Sequence, residues 1–207
     1  MKGKFITFEG PDGAGKTTQV RKISDYLKKS GFKVLVTREP GGTELGEKLR
    51  EVLLSSKGDS PVPEAEALIY AASRAQLVKK VIVPALEKGC MVLCDRFVDS
   101  SLAYQGWARC LGIQELTDIN GWFLKDCWPD LTIVMDIDPE QSLKRLRGKK
   151  DRLEREALIF HKRVREGFLK VKKLYPNRIK IVDASYSPEK VFERILFEIM
   201  KSGIIDL

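Results

Sequence analysis

The stretch EGPDGAGKTT, residues 9–18, decides the fold that this sequence predicts. Residues 10–17 fit the pattern G-x-x-x-x-G-K-[ST], directly after the apolar run FITF at 5–8. An apolar face at helical spacing follows, made of Val20, Ile23 and Leu27. Glycines allow backbone N–H groups to turn inward around phosphate oxygens. The sequence therefore predicts a phosphate-binding loop between a strand and a helix.

Within this loop the side chains predict separate roles. Lys16 can reach the outer phosphates of a nucleotide, and the Thr17 hydroxyl can ligate Mg²⁺. Asp12 is unexpected, because a carboxylate repels phosphate. The predicted contacts to the nucleotide phosphates are Gly10, Pro11, Asp12, Gly13, Ala14, Gly15, Lys16, Thr17 and Thr18.

Composition narrows the class of protein. The 207 residues are 43% apolar and 32% charged, without an apolar run that could span a bilayer, so we expect a single domain over 1–207 with no membrane contact. The N-terminus lacks the apolar core of a signal peptide, which favours a cytoplasmic protein. The net charge of +8 favours anionic partners. The lysines are scattered and no nucleic-acid-binding motif is present, so we expect no nucleic acid as partner.

Metal binding by sulfur or imidazole is not expected. Cys90, Cys94, Cys110 and Cys127 lack zinc-site spacing, and His161 is the lone histidine. We expect free, buried thiols.

Apolar runs alternate with segments of helical period along the chain, which is typical of an α/β fold with a parallel sheet. The predicted strands are Lys4–Glu9, Lys33–Arg38, Met91–Asp95, Leu131–Ile137 and Ile179–Asp183. Two helix starts are expected, where Asp138 precedes Pro139 and Ser187 precedes Pro188. A kink or break is expected at Pro84. Apolar residues spaced by three and four from Leu153 to Val171 predict one long amphipathic helix.

Charged side chains end several predicted strands, at the sheet edge where parallel α/β proteins bind ligands. Arg38 is placed to bind a second phosphate, although an ion pair with Glu39 or Glu47 is the alternative. Asp95 can hold Mg²⁺ through water, and Arg96 can bridge two phosphates. Asp136 ranks below Asp95 as the carboxylate, because helix capping nearby explains its position.

One helical segment, ALIYAASRAQLV at 67–78, places Tyr70 and Arg74 one turn apart on the same face. A ring and a guanidinium at this spacing could stack on a base and bond its edge, whereas core packing is the alternative for the ring alone. A GTPase is not expected, since the guanine motif N-K-x-D is absent.

Taken together, the motifs resemble those of the thymidylate kinases, P-loop enzymes that transfer phosphate from ATP to dTMP. The resemblance covers nearly the whole chain and implies a three-layer fold with a five-stranded parallel sheet, helices on both faces and a small mobile lid. It rests on FEGPDGAGKTTQ, REPGGTELGE, YAASRAQL, DRFVDSSLAYQG, PDLTIVMDIDPE, DRLE and VDASYSPEKV, in the family's order.

For the acceptor, the resemblance implies that Tyr70 stacks on thymine and that Arg74 bonds the base edge. Tyr70 and Phe97 depart from the family, which more often has Phe and Tyr at these places. The residues implied to bind dTMP are Asp12, Arg38, Tyr70, Arg74, Arg96, Ser101, Tyr104 and Gln105. Asp12 is expected to accept the dTMP 3′-hydroxyl or to brace an arginine at the acceptor phosphate.

For catalysis, the resemblance implies Mg²⁺ on Thr17 and Asp95, partly through water, and a lid at about 144–156. One subgroup carries a catalytic arginine in the P-loop, and another has glycine there and a lid arginine instead; Gly13 predicts the second. The implied catalytic residues are Asp12, Lys16, Arg96, Arg147 and Arg152, with Arg145, Ala184 and Ser185 toward ATP. A homodimer is expected by analogy.

Two alternatives remain open from the sequence. A kinase of the same fold could use another acceptor, such as dUMP or a nucleoside, and would differ at Tyr70, Arg74 and Tyr104. A nucleotide-dependent nucleic-acid-binding protein is suggested only by the pI near 9.3.

Overall fold

The structure is a computed structural model that describes residues 3–55, 59–146 and 151–205. Within these ranges five strands form one sheet, all parallel, in the order β2-β3-β1-β4-β5. The strands are β1 Phe5–Glu9, β2 Val34–Arg38, β3 Met91–Asp95, β4 Leu131–Asp136 and β5 Ile179–Asp183. The predicted α/β fold with a five-stranded parallel sheet is confirmed, and β1 with its phosphate-binding loop lies at the centre.

The predicted strand bounds need small corrections. Lys4 and Lys33 precede β1 and β2, although their carbonyls still accept bonds from Val92 and Met91 of β3. Ile137 follows β4 and is buried beside the sheet. Burial accounts for the apolar runs of β1, β3 and β4, because helices cover both faces of the sheet.

Helices cover the two faces in separate clusters. The helices in the described ranges are α1 Lys16–Lys29, α2 Glu44–Leu54, α3 Pro63–Leu77, α4 Val83–Glu87, α5 Val98–Ser101, α6 Ile113–Leu124, α7 Pro139–Arg145, α8 Leu158–Leu174 and α9 Pro188–Lys201. Ile23 of α1 and Ile195 of α9 pack on one face, and Val164 of α8 packs with Val134 on the other. These side chains form the buried layers on either side of β1.

Both predicted proline-marked helix starts are confirmed. Asp138 accepts hydrogen bonds from the N–H groups of Glu140 and Gln141 at the start of α7. Ser187 caps α9 by accepting from Lys190 N–H. Each cap satisfies backbone donors that the first helical turn leaves without partners.

Pro84 does not break the helix, so the predicted break is wrong. A π-helical segment, Val78–Ile82, joins α3 to α4 directly before it. Proline lacks an N–H and crowds the carbonyl four residues earlier, and a wider turn removes that conflict. The chain therefore stays helical from 63 to 87.

The long helix predicted from Leu153 begins five residues later, at Leu158. Residues 152–155 form turns instead, because the Asp151 and Glu154 side chains each accept from the other's backbone N–H. Leu153 is buried nonetheless. Its apolar spacing continued the helical pattern by coincidence.

The four cysteines are free, but they are not all buried. Cys94 and Cys127 are buried, Cys90 is half-buried and Cys110 is exposed. Cys110 adopts φ 61° in the turn after a second π-helical segment, Leu102–Ala108, which carries it outward. In the described part of the chain no three His, Cys, Asp or Glu side chains form a metal cluster, and no helix there is long and apolar enough to cross a membrane.

Candidate active site

The phosphate-binding loop connects the central strand to α1. Gly13 has φ 79°, and a Cβ there would lie 2.1 Å from the carbonyl oxygen of Ser142 in α7. Only glycine fits, because both the backbone conformation and the space exclude a side chain. The Lys16 ammonium donates to the carbonyls of Gly10 and Pro11, at 3.0 and 2.8 Å. Burial and the Arg96 charge lower the pKa of Lys16 to about 8. The amine therefore lies over the loop where phosphates would bind.

A hydroxyl and a carboxylate meet beside the loop. Thr17 Oγ1 donates to Asp95 Oδ2 at 2.5 Å, which joins the start of α1 to the end of β3. Oxygen donors of this kind suit a hard divalent cation. The pair therefore fits the predicted metal position. Asp136, the lower-ranked carboxylate, instead forms a two-bond ion pair with Arg165 of α8.

Asp12 of the phosphate-binding loop pairs with Arg96, the residue that follows β3. One Asp12 oxygen accepts from Arg96 Nη2 and the other accepts from the Tyr104 hydroxyl at 3.1 Å. Burial alone would raise the pKa of Asp12, but the charges of Arg96 and Lys16 lower it to about 2. Arg96 also donates to the Gly10 carbonyl at 2.9 Å and lies over the Tyr104 ring. The carboxylate thus holds an arginine at the edge of the phosphate-binding loop.

Arg74 of α3 is held by several hydrogen-bond partners. It is buried, and its Nε and Nη2 bond the Glu39 carboxylate at 2.6–3.1 Å. Nη2 also donates to Ser101 Oγ, and Nη1 donates to Asn120 Oδ1 at 2.7 Å. Burial raises the pKa of Glu39 to about 7 against the opposing charge of Arg74. Among the described contacts, one Nη1 hydrogen of Arg74 is left for a ligand.

A cleft of about 770 Å³ connects these groups, a volume in the range of ligand sites. Its walls include 17 of the residues predicted for the site, namely Asp12, Gly13, Ala14, Gly15, Lys16, Thr17, Thr18, Arg38, Tyr70, Arg74, Asp95, Arg96, Ser101, Tyr104, Gln105, Arg145 and Ala184. A loop for phosphates therefore shares one cleft with an aromatic ring, buried amides and several arginines.

Comparison with known proteins agrees with this arrangement. The sequence model of the thymidylate kinase family matches residues 8–195. The chain belongs to the thymidylate kinase family. It is 51% identical over 203 residues to a thymidylate kinase of Thermoanaerobacter sp. (strain X514), covering 97% of this chain and 99% of the relative. It is 53% identical over 184 residues to one from Caldanaerobacter subterraneus subsp. tengcongensis, covering 88% of each.

A solved structure is similar over the same length. The crystal structure of thymidylate kinase from Ehrlichia chaffeensis superposes with a TM-score of 0.78 at 32% identity, covering 96% of this chain and 99% of that chain. The family and the fold expected from the motifs are therefore confirmed.

Arg38, which was predicted to bind a phosphate, both lines the cleft and forms an ion pair. It lines the cleft, yet its Nη2 pairs with Glu47 at 3.0 Å. This is the ion pair that the sequence offered as the alternative to phosphate binding. Arg50 of α2 lies beside it, donates to the Pro40 carbonyl and also lines the cleft. Burial and the Arg38 charge lower the pKa of Arg50. Two close guanidinium groups favour a bound anion, and Arg50 was missed because its helix repeats many charged residues.

Residues predicted for the ATP side lie at the ends of α7 and β5. Arg145 donates to the carbonyls of Ala184 and Ser185, at 2.9 and 3.1 Å. Ser185 itself bonds Asp183 and does not line the cleft. Tyr186, which sequence reasoning missed, does line it. Gly10 and Pro11 do not line the cleft, and their carbonyls accept hydrogen bonds from the Lys16 ammonium.

The structure describes only one of the two lid arginines predicted to be catalytic. Arg147 lies outside the described residues, together with Gly148. Arg152 bonds Glu66 at 2.5 Å and the Leu53 carbonyl at 2.9 Å. It is not a cleft residue here, because the buried Glu66 carboxylate offers it a stronger partner than solvent.

Glu9, at the end of β1, is a buried carboxylate that sequence reasoning missed. It accepts from Phe97 N–H at 2.8 Å and bonds the Ser100 hydroxyl at 2.5 Å, and Ser100 in turn contacts Arg96. Burial and the charge of Asp99 raise the pKa of Glu9 to about 8. The sequence predicted that Glu9 ends a strand, but it could not indicate the partners of Glu9, which lie about 90 residues away along the chain.

Replacing Glu9 by glutamine should change how stability depends on pH. The pKa in the folded protein exceeds the ordinary value of 4.5, so the folded state holds an extra proton between about pH 4.5 and 8. The free energy of unfolding therefore falls as pH rises through this window, and the neutral Glu9→Gln variant should fall less steeply. Urea unfolding of both proteins near pH 5, 6.5 and 8 measures this. Parallel curves would contradict the prediction.

Proposed function

We propose that this thymidylate kinase family member transfers the γ-phosphoryl group of ATP to dTMP, giving dTDP and ADP, a step that supplies dTTP for DNA synthesis. The observation that carries the proposal is the Asp12–Arg96 pair, which joins the phosphate-binding loop to the end of β3 in a cleft that Tyr70, Arg74 and Gln105 also line. One cleft thereby offers a donor site and an acceptor site with a guanidinium between them.

Catalysis needs little covalent chemistry from the protein. The attacking oxygen belongs to an ionised phosphate, so no general base is required. Lys16 and Arg96 would neutralise charge on the moving group, while the fixed geometry of the loop aligns donor and acceptor. Arg38 and Arg50 would hold the acceptor phosphate from the other side of the cleft.

Mg²⁺ is the proposed cation at Thr17 and Asp95, with Asp95 acting partly through water. When bound with ATP, it would supply positive charge against the phosphates. The short contact between the Thr17 hydroxyl and Asp95 supports the choice, since both residues line the cleft together with the phosphate-binding loop.

The chain is proposed to belong to the subgroup whose catalytic arginine comes from the lid. The support is Gly13, where the Ser142 carbonyl leaves no room for the arginine of the other subgroup. The lid remains assigned to about 144–156.

ADP release with each nucleoside monophosphate in turn tests the function. We expect turnover with dTMP to exceed that with CMP, GMP and AMP, and dUMP serves as the nearest competitor. Equal rates with all acceptors would contradict the dTMP assignment. A Lys16→Met variant controls for contaminating kinases.

We propose a homodimer that forms through α3 and α6, which pack side by side. Trp122 is 84% exposed on α6, one helical turn from exposed Ile119, and Leu68 is exposed on α3. Neighbouring apolar side chains of this size favour a protein interface. Sedimentation should give twice the chain mass of 23.5 kDa, and Trp122→Lys should lower it. A cytoplasmic location remains a prediction from the sequence.

Replacing Asp12 by alanine should impair use of dTMP more than binding of ATP. Arg96 would lose its carboxylate partner and Tyr104 its acceptor, so the acceptor side loses its fixed geometry. Loss of charged hydrogen bonds predicts a fall of about 10- to 100-fold in kcat/KM for dTMP. Varying each substrate with the other saturating measures it, and Asp12→Asn is the control of equal shape. A larger effect on ATP would contradict the assignment.

A further inference from the structure

We infer that Glu66 is a positioning residue that sets the orientation of the Gln105 amide and thereby the choice of pyrimidine base. This inference rests on the proposed use of dTMP. Glu66, Tyr70 and Arg74 are spaced by four along α3, so they share one face of the helix. Sequence reasoning found the last two and missed the first.

The Glu66 carboxylate is fully buried and bridges three segments. Its Oε1 accepts from Gln105 Nε2 at 2.7 Å, in the π-helical segment 102–108. Its Oε2 accepts from Arg152 at 2.5 Å and from Arg109 at 3.4 Å. Two guanidinium groups therefore occupy one side of the carboxylate, and a single amide occupies the other.

This contact decides which amide atom of Gln105 faces the cleft. A carboxylate accepts hydrogen bonds and cannot donate, so Nε2 must be the atom that points to Glu66. Gln105 is buried and lines the cleft beside Tyr70 and Arg74. Among the described residues no donor contacts its Oε1. The oxygen is thus left for a ligand that donates a hydrogen bond.

The resulting pattern matches thymine and opposes cytosine. Thymine offers N3–H as a donor beside the O4 acceptor, whereas cytosine offers N3 as an acceptor beside the N4 amine. Gln105 Oε1 can accept from N3–H, and the remaining Nη1 hydrogen of Arg74 can donate to O4. Both contacts would become unfavourable with cytosine, which leaves buried polar groups unpaired.

A Glu66→Gln substitution should invert this pattern. The oxygen of the new amide would face Arg109 and Arg152, because these side chains only donate. The NH₂ of the new amide would then face Gln105, whose own amide must turn and present its NH₂ to the cleft. We expect the ratio of kcat/KM for dTMP to that for dCMP to fall by about 10- to 100-fold, the effect of one buried hydrogen bond made unfavourable.

The experiment measures this ratio in Glu66→Gln, Gln105→Ala, the double variant and Glu64→Gln. Glu64 is exposed on the same helix, so its variant controls for the loss of one charge. We expect Glu66→Gln to change the ratio in the wild-type background and not in the Gln105→Ala background. An unchanged ratio, or the same change without Gln105, would overturn it. Thermal unfolding reports whether each variant folds.

A measurement on the unaltered protein covers the case in which Glu66→Gln does not fold. The N3 imino proton of bound ¹⁵N-labelled dTMP should be protected from exchange with water, and rapid exchange would overturn the inference. Wild-type turnover of dTMP reports separately on the proposed function. If dTMP is phosphorylated and the ratio stays unchanged, only the role of Glu66 falls.

Discussion

Replacing Arg96 by alanine is expected to lower kcat/KM for dTMP by about 10³-fold or more, the scale of an arginine that stabilises transferred phosphate. Arg96 has φ 68°, unusual for a residue with a side chain, and follows the last residue of β3. Its guanidinium is fixed by Asp12, the Gly10 carbonyl and Ser100. Such fixed positioning means that the charge is in place before the phosphates arrive.

Steady-state kinetics with dTMP and ATP measures this effect, with Arg96→Lys as the matched variant. Lysine keeps the charge but loses the planar fork, so it should restore only part of the activity. The exposed Arg21→Ala controls for the loss of a surface arginine. Thermal unfolding should show a less stable protein, because Asp12 keeps a half-buried charge without its partner. Nearly unchanged kcat/KM in Arg96→Ala would place the phosphate bridge elsewhere.

Replacing Arg147 by alanine is expected to lower kcat by about 10³-fold with a much smaller change in ATP affinity. The P-loop cannot supply the arginine at Gly13, and Arg152 is held by Glu66. Arg145 donates to the carbonyls at the end of β5. Arg147 itself lies outside the described residues, so this assignment rests on the sequence and on the partners of its neighbours.

Single-turnover rates of Arg147→Ala and Arg152→Ala separate the two candidates, and the exposed Lys144→Ala serves as the control. Arg152→Ala should act chiefly on kcat/KM for dTMP, because it removes one of the two cations that orient Glu66. A loss of kcat that is larger in Arg152→Ala than in Arg147→Ala would return the catalytic role to Arg152.

Local patterns predicted much of the fold and of the donor site. The phosphate-binding loop, the five strands and the caps at Asp138 and Ser187 follow from spacing and side-chain chemistry within a few residues. The helix prediction from Leu153 failed because a local turn, closed by the Asp151 and Glu154 side chains, competes with the helical pattern. The helix therefore begins only at Leu158. The bond between Arg152 and Glu66 joins residues 86 positions apart, so no local pattern could indicate it.

The sequence by itself determined the family, the parallel sheet and the residues of the phosphate-binding loop, because these depend on neighbours along the chain. The tertiary structure alone decided the partners of buried charges. Glu9 meets Phe97, Arg74 meets Asn120, and Glu66 meets Gln105. A buried polar group must find a partner, and which partner it finds depends on how the helices pack over the sheet.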